Sequence, residues 1–131
     1  MIFVDSNVPM YLVGAEHPNK GRAQLLLQTA VLDGDRLVTD AEVLQEILHR
    51  YTAIERLDAI QPTFDTVLGV VDEVFPVDSV DVDHAKQIIL GGSSFTARDA
   101  LHIAVLERRG ISRVMSFDAG YDRRPGLIRI S

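Results

Sequence analysis

Residues 97–122 read ARDALHIAVLERRGISRVMSFDAGYD, and how this stretch is read decides the fold. Ala100, Leu101, Ala104 and Val105 recur at the spacing of one packed helix face from residue 97 to residue 109, and Gly110 stops the helix. Residues 113–117 are then a short apolar run of strand length that ends at Asp118. A helix and a short buried strand, joined by a tight turn, form one step of an alternating α/β chain. That step sets one carboxylate, Asp99, in the first turn of a helix and another, Asp118, at the end of a strand.

Working outward, residues 1–4 are a buried strand ending at Asp5, and Ser6 and Asn7 are N-cap candidates for a helix over residues 8–14, where Pro9 is tolerated in the first turn. After the turn at His17, Pro18 and Asn19, the positions Ala23, Leu26, Leu27, Ala30 and Val31 share one helix face, and residues 36–38 form a second strand. Thr39 followed three residues later by Glu42 is a capping-box pattern that opens a helix through Val43, Leu44, Ile47, Leu48 and Tyr51. Glu42 thereby has a structural task, and Glu46 lies one turn further in, on or beside the polar face. A long helix is expected to follow to about residue 73, with Pro62 as the point where it kinks or splits. Residues 74–77 are a third strand, at a sheet edge because of Pro76. A further helix opens over residues 78–83, the Gly/Ser loop of residues 91–94 is expected to be flexible, and residues 127–130 supply a fifth strand. The expected architecture is α/β: three layers, α/β/α, around a central mainly parallel sheet of four to five strands, in one domain spanning residues 1–131. In such sheets the functional crevice lies beyond the carboxyl ends of the strands, where Asp5 and Asp118 fall.

The chain contains no cysteine, which excludes disulfides, thiolate catalysis and sulfur-ligated zinc. No apolar run approaches the roughly 18–20 residues of a membrane span, and the early acid without a basic leader points to a cytoplasmic protein. The net charge of −6 argues against a surface that binds nucleic acid all over. Residues 1–97 carry 6 basic and 15 acidic side chains, whereas residues 98–131 carry 7 and 4, so any phosphate-binding rim lies in the C-terminal part.

Four acids crowding one crevice repel each other unless a cation neutralises them, and Mg2+ or Mn2+, with their preference for oxygen ligands, are the natural choice. Asp5, Glu46, Asp99 and Asp118 are the candidates. Each has an ordinary alternative: Asp5 as a cap, Glu46 paired with Arg50, Asp118 in a turn, and Asp99 as partner of Thr96 in a second capping-box pattern. Spacing alone does not bring Glu46 and Asp99 to one crevice. His49 and His102, each three residues after one of these acids, allow a mixed nitrogen and oxygen site; the plainer reading is a solvated His49 and a hydrogen-bonded His102 near the core. Ser6, Asn7 and Ser116 could hydrogen-bond the acids, and Arg98, Arg123 and Arg124 flank them in sequence as phosphate contacts. Tyr11, Leu12 and Tyr51 are core residues or, alternatively, a dimer or partner face.

Four segments together carry a resemblance: FVDSN at residues 3–7, VTDAEVLQEIL at 38–48, ARDALHIAV at 97–105 and SFDAGYD at 116–122. In this order and spacing the chain resembles PIN-domain ribonucleases, specifically VapC-type toxins of toxin–antitoxin pairs. The resemblance implies that Asp5, Glu46, Asp99 and Asp118 bind the metal, with Ser6 and Ser116 beside them and Asp122 as an auxiliary acid. It implies Mg2+- or Mn2+-dependent hydrolysis of RNA, tRNA or rRNA, to products with a 5'-phosphate, and a cognate VapB-type antitoxin and a homodimer as partners. Two other readings compete with it. One is another Mg2+-dependent α/β phosphoryl-transfer protein, but a receiver would want paired acids after strand one and a lysine near the last strand, and a phosphatase of the haloacid-dehalogenase type would want aspartate where Asn7 stands. The other is a catalytically inactive PIN-like module that binds RNA or protein.

Overall fold

The computed structural model describes residues 1–92 and 94–131. Ser93, within the loop expected to be flexible, lies outside the described residues. Five short strands, β1 (Ile2–Val4), β2 (Leu37–Asp40), β3 (Glu73–Phe75), β4 (Arg113–Met115) and β5 (Ile128–Ile130), form one sheet in the order β3-β2-β1-β4-β5. Every pairing in it is parallel. The helices are α1 (Asn7–Val13), α2 (Pro18–Leu32), α3 (Ala41–Ala53), α4 (Ile60–Val70), α5 (Ser79–Leu90) and α6 (Ala97–Arg108).

Parallel strands need crossover connections, so both faces of this sheet are covered and its central strands are apolar throughout. The period of two divides their side chains between two cores. Phe3, Val38 and Val114 enter one core with Val43 and Ile47 of α3, Ala85 and Ile88 of α5, and Ile103 and Ala104 of α6. Ile2, Val4, Leu37 and Met115 enter the other with Val8 of α1 and Ala23, Leu26 and Leu27 of α2. Full burial of each large aliphatic is worth about 1.5–3 kcal/mol. A slip of one residue in β1 would exchange the two faces, so the register Phe3 opposite Val38 and Val114 is strongly specified.

Three local readings of the sequence need correction. The helix-opening pattern at Thr39 and Glu42 does not form. Thr39 belongs to β2, where its hydroxyl donates to the Val4 carbonyl at 2.8 Å, and the cap is Asp40, whose carboxylate accepts the Val43 N–H at 2.9 Å. The long helix expected to reach residue 73 is interrupted earlier than Pro62. Glu55 takes φ +57, a 3-10 turn spans Leu57–Ala59, and Pro62 sits in the first turn of α4, where its missing N–H costs nothing. Ser6 precedes α1 but makes no side-chain cap.

The chain runs from β1 outward to β2 and β3, then returns to place β4 on the other side of β1. Connections from β1 and β4 therefore leave the carboxyl edge in opposite senses, and a crevice opens between them, as expected at such a switch point.

Candidate metal centre

Asp5 directly follows β1 and is 5 % exposed. Its Oδ1 accepts the Ser6 backbone N–H at 2.8 Å, and its Oδ2 accepts the Ser116 hydroxyl at 2.6 Å. The Ser116 oxygen in turn accepts Asn7 Nδ2 at 3.1 Å and the Asp118 N–H at 3.0 Å. Asn7 Oδ1 accepts the Phe117 N–H at 3.2 Å. One serine and one asparagine thus bind the ends of β1 and β4 together and hold Asp5 and Asp118 on either side of the join. Asp118 is exposed, with Oδ1 accepting the Gly120 N–H at 2.8 Å at the start of a 3-10 turn over Ala119–Arg123.

Asp99 occupies the first turn of α6, whose N-cap Thr96 accepts the Asp99 N–H at 3.1 Å. The cap uses the backbone N–H of Asp99, and Thr96 also hydrogen-bonds its carboxylate, which lines the crevice near Asp118 and Asp5. Glu46, one turn beyond Glu42 on α3, is buried rather than on a polar face. Its Oε1 accepts from His102 Nε2 at 2.9 Å and lies 3.7 Å from Arg98 Nε. On its other side His102, fully buried, meets Asp40 Oδ2 through Nδ1 at 2.8 Å. His102 is therefore the hydrogen-bonded core histidine of the plainer reading, and His49 is exposed.

Asp5, Glu46, Asp99 and Asp118 all line one open cleft of 980 Å³, together with Ser6, Arg50 and Arg98. Burial falls from Asp5 and Glu46 at the floor to Asp118 at the rim. The protonation tendencies follow this arrangement. Burial, then the charges of Asp118 and Asp5, push the Asp99 carboxyl up to about 6. Burial also raises Asp5, against the opposing charge of His102 and the hydrogen bond from Ser116. Burial works the same way on Glu46, but the hydrogen bond and charge of His102 outweigh it and hold this carboxyl below the usual range. Burial disfavours a charged His102, yet the charge and hydrogen bond of Asp40 and the hydrogen bond to Glu46 hold it well above an ordinary imidazole.

A set of carboxylate oxygens with mutual repulsion at Asp99 suits a hard divalent cation, which removes the repulsion and accepts several oxygen ligands. The residues present fit such an ion. Mutual repulsion also distinguishes Asp99 from a plain helix-capping acid, because a cap alone has no reason to face two other carboxylates.

The remaining residues expected near the site divide. Arg98 is on the cleft wall, 3.4 Å from Glu42 and 3.7 Å from Glu46. Arg123 lies over the Phe95 ring at 5.3 Å and flanks Gly120, since a Cβ there would stand 3.3 Å from Arg123 Nη2 and 3.0 Å from Asp118 Oδ1. Arg124 is committed to Glu107 at 2.7 Å and does not line the cleft. Asp122 is exposed and held by Arg129 at 2.9 and 3.0 Å; it does not line the cleft either. Tyr51 is buried in the core and also lines the cleft, Leu12 packs against the second core, and Tyr11 lines the cleft and packs on His17 at 4.8 Å. Asp40, which braces His102, escaped the sequence reading. The signal for it was present, because Asp40 stands at the end of β2 just as Asp5 stands after β1.

The PIN domain family matches residues 2–127 of the chain. Ribonuclease VapC13 of Mycobacterium tuberculosis is 60 % identical over all of both chains. Among solved structures, M. tuberculosis VapC20, a sarcin-ricin loop cleaving toxin, superposes with a TM-score of 0.76 at 22 % identity, covering 93 % of each chain. VapBC2 of Rickettsia felis bound to a promoter DNA fragment gives 0.71 at 14 % identity, over 99 % of this chain and 98 % of that one, and both likenesses are of fold. The parallel sheet, the crevice at its switch point and these similarities agree, and the chain belongs to the PIN-domain family, among the VapC ribonucleases.

Proposed function

We propose that the chain is a divalent-metal-dependent endoribonuclease, the toxin of a VapBC-type pair, with residues 1–131 forming one domain. The observation that carries this reading is the meeting of Asp5, Glu46, Asp99 and Asp118 in one cleft. These four would hold Mg2+ or Mn2+, which when bound supplies activation of water and stabilisation of the leaving oxygen in phosphodiester hydrolysis. Ser116 and Ser6 orient Asp5, and Asn7 keeps the two strand ends in register. Arg98 on the wall and Arg123 beside Asp118 receive phosphates of an RNA strand. The 60 % identity to a protein named a ribonuclease supports RNA as the substrate, with tRNA or rRNA as the class to examine first.

Likeness in fold to a toxin–antitoxin complex supports a VapB-type antitoxin as protein partner. Among the described residues no helix is long and apolar enough to cross a membrane. We place the protein in the cytoplasm, as a homodimer when free of antitoxin, which light scattering of the purified chain tests directly.

The deciding experiment incubates the purified chain with tRNA and rRNA in Mg2+, in Mn2+ and in excess chelator, beside Asp5→Asn and Asp99→Asn. Cleavage to 5'-phosphate ends is expected with metal alone, and neither variant should cut. Undiminished cleavage in chelator would sink the metal mechanism. Tight RNA binding by the wild type without cleavage under any metal would favour an inactive binding module instead.

A further inference from the structure

Asp5, Glu46 and His102 each offer one ligand atom within 4.8 Å of the others, so by distance alone His102 could join a bound cation. Its hydrogen bonds point elsewhere. Nδ1 faces Asp40 Oδ2 at 2.8 Å and Nε2 faces Glu46 Oε1 at 2.9 Å. A cation on either nitrogen would have to lie along a direction that a carboxylate oxygen already fills at 2.8 or 2.9 Å. The ring is locked further by Phe3, whose centroid lies 5.4 Å away. Asp40 is itself pinned, because its other oxygen caps α3 through the Val43 N–H. The connections therefore run from the start of α3 to Asp40, to the α6 ring of His102, and back to Glu46 on α3. Asp40 and His102 are fully buried, and only Glu46, 8 % exposed, reaches the cleft.

We infer that His102, clamped by Asp40, is a positioning residue that fixes the Glu46 carboxylate through Oε1 and is not itself a metal ligand. This rests on the metal reading above. Glu46 has three side-chain torsions to order, and α3 by itself supplies nothing that would hold its carboxylate next to Asp5. The Glu46 carboxylate also has Ser6 and Arg98 beside it, and His102 is the one of these partners that is fully buried. Supports of this kind, bracing a ligand from behind, typically change metal affinity about 10–100-fold when removed.

A purely structural histidine and a positioning one predict opposite orders for two amide replacements. His102→Gln sets an amide N–H near the Nε2 position and keeps the contact to Glu46. His102→Asn reaches only the Nδ1 position, keeping Asp40 satisfied and leaving Glu46 with only Ser6 and Arg98 beside it. The test is Mn2+ binding to the full chain by calorimetry, with the spin-echo spectrum of bound Mn2+ as a second readout. Expected are wild-type affinity to within about fivefold for His102→Gln, a loss of about 10–100-fold for His102→Asn, and no directly coordinated nitrogen in the wild-type spectrum. Three results overturn the inference: His102→Asn binding like wild type, His102→Gln losing as much as Glu46→Gln, or strong coupling to an imidazole nitrogen in the wild type. The second and third are available even if His102→Asn fails to fold. A wild-type chain that binds no Mn2+ would overturn the metal reading itself, and this one with it; normal wild-type binding beside an unaffected His102→Asn overturns this one alone.

Discussion

Replacing Asp99 with asparagine is expected to make the metal-free protein more stable, although it removes a residue the site depends on. The Asp99 carboxyl is pushed up to about 6 by burial and by the nearby Asp118 and Asp5, from an ordinary 3.8. A carboxyl that is harder to ionise in the folded chain than in the unfolded one penalises folding wherever it is ionised. The penalty is absent below about pH 3.8, grows through the interval, and is complete above about pH 6. At about 1.36 kcal/mol per unit, the shift sets a ceiling near 3 kcal/mol. Partial solvent access reduces it, and asparagine also forfeits about 0.3–1 kcal/mol of favourable charge at the start of α6. A net gain of roughly 1–2 kcal/mol at pH 7.5 remains, or about 3–8 °C in Tm for a chain of this size. Scanning calorimetry of both proteins in chelator at pH 7.5 and pH 4.0 isolates the effect, since the other groups titrate in both. The gain should vanish at pH 4.0 and reverse in saturating Mn2+, which stabilises only the chain that binds it. A lower Tm for Asp99→Asn at pH 7.5, or a gain that persists undiminished at pH 4.0, would refute the reasoning.

Gly120→Ala brings a Cβ to 3.0 Å from Asp118 Oδ1. It should displace that carboxylate and lower RNA cleavage several-fold, while stability in urea stays within about 0.5 kcal/mol of wild type because the side chain that must give way, Asp118, is exposed. Ser116→Ala removes the donor to buried Asp5; it should cost about 1–3 kcal/mol in urea denaturation. Because that hydrogen bond lowers the Asp5 carboxyl, its loss should also move the acid limb of the pH–rate profile to higher pH. Asp40→Ala strips both the α3 cap and the His102 clamp and should destabilise by at least about 2 kcal/mol, whereas Glu42→Gln, which caps nothing, should leave denaturation within about 0.5 kcal/mol. Equal effects of these two substitutions would restore the Thr39 and Glu42 capping box.

The strands and α6 were legible because their signals are local. A three-residue apolar run before Asp5, and small residues at helical spacing before Gly110, have few other interpretations. The contacts that complete the site are not local. His102 and Asp40 are 62 residues apart, His102 and Glu46 56 apart, and Ser116 and Asp5 111 apart, distances over which no periodicity carries information. The burial of Glu46 followed from its place on α3 once α6 covered that face. The cap failed by one residue. Thr39 and Asp40 are both competent caps, and what decided between them was the sheet, which extended β2 to Asp40 and spent the Thr39 hydroxyl on β1. The break after α3 lacks glycine or proline at Glu55, so its positive φ reflects packing that a linear reading does not contain. Arg124 and Asp122 stand outside the cleft for a related reason. Their neighbours in sequence belong to the site, but Glu107 and Arg129 hold them elsewhere.

The central position of β1 bears on when the enzyme becomes competent during synthesis. Asp5 is made more than a hundred residues before its partner strand β4 and the Ser116 that grips it. β1 and β4 must pair before the acids meet, and closing so long a loop costs entropy that only the finished sheet repays. The acid cluster therefore assembles only after Ser116 has been made, and a shorter nascent chain lacks it.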